Sequence, residues 1–379
     1  MILEYETLKL IWLLLIGALF IGFAITGGFD LGAGALLLLI GKNDTERRLI
    51  LNSIGPTWEG NQVWFITAGG ALFAAMPLMY AAAFSGFYSI LLLILIPLIL
   101  RPPGMDYRSK LPSKTWRTTW DFCLFLSGFV PAFLFGLSFG SLLSGISFYY
   151  DNELMPHLTG SFLSLLSPYA LLCGIVSLCI ILLQGSLFLQ IKTTVPINAR
   201  TLKSARWFGV LFILSFAYTW YWTVFKIDGF QIISIPNPNE SFSPLSKQVM
   251  TGLGFWLQNY EKFPLGYCAP LSSIAGVIIA LVFSTYQRPG YALFFNSIAL
   301  ASLIITAGFT LFPFILPSAS HPDHSLTIWD AASSHLTLSW MLIATLLLLP
   351  IVLAYTTWVF RVMRGTVTES SHLKKSESY

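Results

Sequence analysis

The sequence predicts an all-α integral membrane protein of nine transmembrane helices, and three observations carry that prediction. Apolar residues make up 55% of the 379 and charged residues only 10%, with a mean hydropathy of +0.73; a soluble domain carries roughly a quarter charged residues. The apolar residues are gathered into runs of the length, about 20 residues, that crosses a bilayer. The Lys and Arg residues are shared unevenly between alternate loops, as the positive-inside rule requires of a chain that crosses repeatedly.

The nine runs lie near 8–41, 49–76, 80–100, 118–145, 164–191, 207–225, 263–286, 290–317 and 337–360. The first is longer than one crossing requires, so it tilts, protrudes or kinks at Gly27-Gly28. It is also too long for a signal-peptide h-region and lacks a small-residue cleavage site, so no cleavable leader is expected. Of the 21 Lys and Arg residues, all but Lys9, Lys226, Lys247 and Lys262 fall after odd-numbered runs or in the tail. That bias puts the N-terminus outside and the C-terminus in the cytoplasm, and an odd number of spans lets the sides alternate.

The chain therefore reads as one polytopic membrane domain over residues 1–379, with an outside loop at about 226–262 and a cytoplasmic tail at about 361–379. Within the outside loop, "IPNPNESFSPLSKQ" is dense in Pro, Asn and Ser, which marks irregular chain. An amphipathic surface helix is expected after it, around Val249–Tyr260. The tail, ending "TESSHLKKSESY", reads as short and mobile. The net charge of +4 is spread over short loops, so nucleic acid is not an expected partner. Cys123, Cys173, Cys179 and Cys268 lie in or beside apolar runs with no CxxC spacing, which suggests packed thiols and neither a disulfide framework nor a zinc site.

Ionisable groups inside spans are costly and are candidates for function. Two stand out: Asp30 in "AITGGFDLGAG" and Glu59 in "GPTWEGNQVW". Asn43 with Glu46 forms a cap signature for the helix that enters the second span. At 1.5 Å per residue, Asp30 and Glu59 then fall at comparable depths on sequential antiparallel helices. Helical geometry puts Gln62 and Val63 on the face of Glu59, with Trp64 about 140° away; Glu59 would face the bundle interior and Trp64 a lipid or quinone groove. Pro56 removes a backbone donor there, and Gly27, Gly28, Gly32 and Gly34 allow a neighbouring helix to come close. The two acids can be structural, hydrogen-bonded to backbone or a basic side chain, or they can form a proton-conducting pair. Trp64 serves equally as a packing residue or a ligand contact.

Weaker signals lie in the loops. Asp106 and Lys110 in "LRPPGMDYRSK" are one helical turn apart and read either as a solvated ion pair or as a cytoplasmic entrance. Asp121 reads as a partner for Arg117 near the start of the fourth span. "SHPDHSLTIWDAASSH" holds His321, His324 and His335 with Asp323 and Asp330, but HxxH on a loop is a weak metal signature. None of the five histidines is central in a span, so a b-type haem would lack its usual axial ligands in this chain. A phosphate-binding loop, a CxxC pair and a nucleophile elbow are likewise missing from the sequence.

Several blocks together resemble a known family. "GFDLGAG", "KNDTERRLILNSIGPTWEGNQVWFITAGGALFAAMP", "YAAAFSGFY", "RPPGMDYRSK" and "SLTIWDAASSHLTL" are similar to subunit II of the cytochrome bd-type quinol:oxygen oxidases, from the N-terminus through the ninth run. The resemblance implies two four-helix bundles plus one peripheral helix. It also implies a haem-bearing subunit I as partner, holding two b-type haems and one haem d, or a b-type haem in place of d. In such a complex quinol is oxidised and oxygen reduced to water on subunit I, with protons drawn from the cytoplasm. Subunit II supports assembly and a proton path, and in some members carries a structural quinone or an oxygen route; a small accessory subunit can join.

Carried over residue by residue, Asp30 matches the family acid that follows "GF", and Glu59 the acid of the "W-[DE]-G-N" block. Trp64 matches a Trp that contacts quinone in some members, and Asp106 and Lys110 match residues at the cytoplasmic proton entrance. Thr57 and Gly27 depart from one branch of the family, where His and Asp stand, which implies a leaner or water-assisted relay. The sequence is thus read as the non-haem subunit of a respiratory quinol oxidase in a bacterial inner membrane, with Asp30, Glu59, Asp106 and Lys110 on a proton path and no metal ligands of its own. The alternative is a stand-alone proton-coupled secondary transporter using Asp30 and Glu59; a third reading makes the chain a scaffold with structural acids.

Overall fold

In the computed structural model, residues 3–363 together with 365 and 366 are described. Most of the expected tail, with Arg364, His372, Lys374 and Lys375, lies outside the described residues. Helix α1 (Tyr5–Ile40) is one uninterrupted 36-residue helix, which at 1.5 Å per residue is roughly 54 Å long, well beyond the ~30 Å hydrocarbon core. The surplus protrudes: Lys9, near the start, is fully buried under loops, its Nζ donating to the carbonyls of Pro238 (2.8 Å), Glu240 (3.3 Å) and Trp329 (2.7 Å).

The second expected span is divided into α2 (Asp44–Ile54) and α3 (Trp58–Ala75). Asn43 caps α2 by accepting the Glu46 N–H at 2.8 Å, and Glu46 reaches back to the Lys42 N–H at 2.7 Å, the reciprocal arrangement its sequence signals. The Gly55-Pro56-Thr57 turn separates the two pieces, since Pro56 has no N–H to continue the ladder. The next stretch is also segmented, as α4 (Pro77–Gly86), α5 (Tyr88–Ile99) and α6 (Arg101–Tyr107).

Helix α7 (Lys114–Ser144) starts on a Ser113 cap and leads into a short hairpin of β1 (Phe148–Tyr150) and β2 (Pro156–Leu158). Helix α8 (Pro168–Lys192), capped by Ser167, and α9 (Ile197–Phe225) follow. The outside loop then holds an antiparallel ribbon, β3 (Asp228–Ser234) with β4 (Gln248–Leu253). The surface helix expected around Val249–Tyr260 is mostly absent: its first half is β4, and only α10 (Gln258–Lys262) is helical beyond a 3-10 turn. Val249 and Thr251 favour a strand, and Gly254, at φ 81°, breaks the chain direction where a helix would have continued.

Helix α11 (Cys268–Thr285) and α12 (Pro289–Leu311) form an antiparallel pair. The eighth run ends earlier than expected, because Pro313 follows Phe312 and the chain turns into β5 (Phe314–Leu316), which pairs with β6 (Leu326–Thr327). Helix α13 (His335–Val362), capped by Ser334, buries only Leu338 among its described residues. Among the described residues eight helices are long and apolar enough to cross a membrane, α5 and α6 counting as one; the broken α2–α3 segment is not among them.

The helices fall into two groups. Helices α1, α3, α5 and α7 pack together, as do α8, α9, α11 and α12, and α1 and α7 lie against α8 to join the groups. Small residues set that junction. A Cβ on Gly32 would lie 2.2 Å from the Ile181 carbonyl oxygen, and one on Gly128 would lie 2.2 Å from the Leu31 oxygen. Helix α1 is therefore gripped between α7 and α8 at backbone contact, with Asp30 in the gripped segment and no break at Gly27-Gly28.

Candidate functional site

Asp30 is 1% exposed. Its Oδ2 accepts a hydrogen bond from Asn61 Nδ2 at 2.7 Å, and its Oδ1 is buried without a hydrogen-bond partner. Arg101, also 1% exposed, reaches the Asp30 backbone oxygen at 3.5 Å through Nη2 and lies over the Trp58 ring, 6.0 Å from its centroid. Three helices thus meet at one buried acid: α1 brings the carboxylate, α3 an amide, and the first residue of α6 a guanidinium. A carboxylate with one oxygen bonded and one open can take a proton on the open oxygen without losing its amide contact.

Glu59 does not share this interior. It is exposed, whereas Trp58 and Asn61 on the same turn are buried. Two residues on a helix are about 200° apart, so Asn61 facing Asp30 turns Glu59 outward. Val63, Ile66 and Phe73 are exposed on α3 with it, at 52, 69 and 60%. Trp64, expected to face a groove, instead packs inward over α1: a Cβ on Gly22 would lie 2.9 Å from its ring. The expected orientation of α3 is corrected accordingly, since the helix carries polar or small residues on every face and its packing partner decides the rotation.

Asp106 and Lys110 are both exposed at the end of α6, with no ion pair between them among the described residues. The buried residue of that turn is Arg108, whose Nε and Nη2 both bond Asp121, and whose Nη2 also reaches Asp44 Oδ1 at 2.8 Å. Asp121 further accepts from Arg47 Nη1 at 3.0 Å, and Arg117 pairs with Asp44 at 3.0 Å. The expected Arg117–Asp121 pair is thus replaced by a linked set of three arginines and two aspartates that ties α2, α6 and α7 together. Arg200 Nη2 meets Glu46 Oε1 at 2.6 Å on the same end of the molecule, and that ion pair holds the Glu46 carboxyl below its ordinary range.

A cavity of about 170 Å³ lies between the two helix groups, lined by apolar residues including Phe23, Phe65, Phe135, Ile181 and Leu300, with Tyr169 and Thr223 at one edge. Those two hydroxyls bond each other at 2.7 Å. Ligand pockets usually offer 300–1,000 Å³, so the enclosed part of this space suits a short apolar segment or a small apolar molecule. Trp64 does not line it.

Sequence reasoning missed Asn61 and Arg101. Asn61 stands two residues past Glu59 and could have been flagged as the polar residue on the opposite face. Arg101 is the first charge after an apolar run, a position that ordinarily reads as solvated; nothing local marks it as buried.

The family described as cytochrome bd terminal oxidase subunit II matches residues 8–363. The chain is 42% identical over 375 residues to cytochrome bd-I ubiquinol oxidase subunit 2 of Escherichia coli, covering 99% of each. It is 43% identical over 362 residues to a probable cytochrome oxidase subunit 2 of Haemophilus influenzae, covering 96% of each. In fold it is similar to a chain of the bd oxidase from Geobacillus thermodenitrificans, with a TM-score of 0.67 at 15% identity, over 94% of this chain and 98% of that one. With a buried acid at the junction of two helix groups and matches along essentially its whole length, this chain belongs to the cytochrome bd terminal oxidase subunit II family.

Proposed function

We propose that this chain is the non-haem subunit of a respiratory quinol:oxygen oxidoreductase of a bacterial inner membrane, and that it feeds protons from the cytoplasm toward a haem-bearing partner. On this reading the chain crosses the bilayer nine times, with α2–α3 as the broken second span, the N-terminus outside and the C-terminus in the cytoplasm. The partner's haems supply the oxygen-reducing chemistry. This chain contributes titratable groups: Asp106 and Lys110 at the cytoplasmic mouth, Asp30 in the interior, and Glu59 on the outer face of α3.

One observation carries the reading: two acids sit on neighbouring helices, one buried with an open oxygen and the other exposed on an apolar face. A carboxylate cannot be left in hydrocarbon without cost, so the Glu59 face is the natural place for a partner subunit. The glycines of that stretch support this, because a Cβ at Gly60, Gly69 or Gly70 would meet nothing within 4 Å among the described residues beyond its own stretch of helix, leaving room for a second helix to approach. The transporter alternative has no comparable support, since the relatives named above are oxidase subunits.

The test is purification of the tagged chain from its own membranes in mild detergent, followed by a reduced-minus-oxidised visible spectrum and quinol-driven oxygen uptake. Haem bands from a co-purifying partner, with oxygen consumption, are the expected result. Glu59→Gln should then keep the partner and the spectrum but lower turnover by tenfold or more, the lower end of what a positioned proton-transfer group contributes (~10²–10⁴) being approached if water substitutes in part. A haem-free, partner-free eluate sinks the proposal. Unchanged turnover in Glu59→Gln removes Glu59 from the path while leaving the subunit assignment intact.

A further inference from the structure

We propose that His324 is an acid-sensitive latch holding the β1–β2 hairpin to the loop that precedes α13. Five hydrogen bonds lace the 146–150 segment to residues 317–324. Ile146 N–H donates to the Pro317 oxygen (2.9 Å), and Ala319 N–H to the Ile146 oxygen (3.0 Å). The hydroxyls of Ser318 and Ser320 both donate to the Phe148 oxygen, and Tyr150 N–H donates to His324 Nδ1 at 2.9 Å. The first four join groups that do not titrate. The fifth depends on the protonation of an imidazole.

An imidazole that accepts on Nδ1 is neutral and carries its proton on Nε2. A second proton turns Nδ1 into a donor facing another donor, and the bond to Tyr150 is lost. The same tautomer disfavours the metal reading of the HxxH spacing: ligation through Nε2 would move the proton to Nδ1, where the Tyr150 N–H already points.

The surroundings weigh on that second proton from every side. On its own loop, the His321 ring is 5.3 Å away, and Asp323 spends its Oδ1 on the Val249 N–H of β4 at 2.6 Å. Ahead of β4, Lys247 is fully buried and pairs with Asp330 at 2.8 Å. From the hairpin, Tyr149 lies against both His321 and His157, and His157 pairs with Asp151 at 2.8 Å. Burial, then His321 and Lys247, oppose protonation of His324, while Asp323 favours it, and its pKa lies below the ordinary 6.5. A depressed histidine contributes stability that is complete above its unfolded value and is lost as the pH falls through the folded one. The latch is closed at neutral pH and opens in acid, on the face that carries the ribbon and the other loop histidines.

Hydrogen exchange of the purified protein, with any partner retained, tests this by following peptides from residues 146–158 between pH 5 and 8 after correction for intrinsic rates. His324→Asn keeps an acceptor close to the Nδ1 position and cannot titrate. His321→Gln removes the neighbouring imidazole that opposes protonation of His324. Wild type should lose protection about fivefold on acidification, the equivalent of one ordinary hydrogen bond. His324→Asn should stay flat, and His321→Gln should open at higher pH. Matching profiles for wild type and His324→Asn overturn the proposal. Should His324→Asn fail to assemble, His321→Gln decides: a midpoint moved to higher pH supports the latch, and an unmoved one overturns it.

Discussion

Gly185→Ala should loosen the junction that positions Asp30, and its size can be worked from the geometry. A Cβ at 185 would lie 2.3 Å from the Gly32 carbonyl carbon, 2.5 Å from the Ala33 nitrogen and 2.7 Å from the Gly32 Cα. All three are backbone atoms and cannot swing aside. Ordinary contact begins near 3.4 Å, so α1 and α8 must part by about 1 Å. Helix α1 cannot simply retreat, because on its other side Gly128 of α7 stands at the same close range to Leu31 and Ala35. Overpacking of a rigid core costs about 1–3 kcal/mol, and with backbone on both sides the upper end applies. For a chain of this size that is a fall in Tm on the order of 5 °C. The assay is thermal unfolding of the detergent-purified protein beside Gly17→Ala, a position on α1 where an added Cβ meets nothing within 4 Å beyond its own helix backbone and a gain of up to about 1 kcal/mol is expected from helix propensity alone. Equal Tm and equal yield for Gly185→Ala and wild type would refute the close-packed junction.

Three further outcomes follow from the same contacts. Asn61→Leu removes the donor to Asp30 Oδ2 and should cost about 1–3 kcal/mol while lowering oxidase turnover; unchanged stability and turnover would mean that Asp30 finds another donor. Lys247→Met leaves Asp330 buried without its counter-charge and should cost about 3–5 kcal/mol, with Lys247→Met/Asp330→Asn recovering part of it in a thermal-melt cycle. Glu46→Gln should flatten the acid limb of stability: the Arg200 pair depresses the Glu46 carboxyl, so its contribution is complete above the ordinary carboxylate value and disappears as the pH falls through the lower folded one. An acid limb identical to wild type would detach Glu46 from that dependence.

What the sequence made legible depended on how local the cause was. The apolar runs, the Asn43–Glu46 cap and the candidacy of Asp30 follow from neighbours along the chain, and α1, α7, α8, α9, α11 and α13 lie where the runs place them, with α12 ending short of its run. The rotation of α3 was not legible, because "WEGNQVWFITAGGALFAA" offers no single apolar face against which to orient Glu59. Nor were the loop-end ion pairs: Arg108 reaches back 64 residues to Asp44, and Arg47 forward 74 to Asp121, while the sequence favoured the nearer Arg117. Strand β4 falls where a helix was expected from Val249, because apolar residues at helical spacing also fit a strand of six residues followed by a turn.

The arrangement of the two acids constrains how a proton could travel. Asp30 and Asn61 face each other inside the first helix group, and the open Asp30 Oδ1 is the interior acceptor. Glu59 leaves α3 on the opposite side, so a path confined to the interior of this chain would end at Asp30 and never use it. A path that uses both must pass around or across α3 near the Pro56 turn, where the helix ladder is already interrupted. It then emerges on a face that makes sense only when another protein covers it. Proton delivery and subunit pairing are on this view properties of the same helix face. A substitution that disturbs turnover through Glu59 but leaves pairing intact, such as Glu59→Gln, separates them, because it keeps the shape of the contact and removes only the charge.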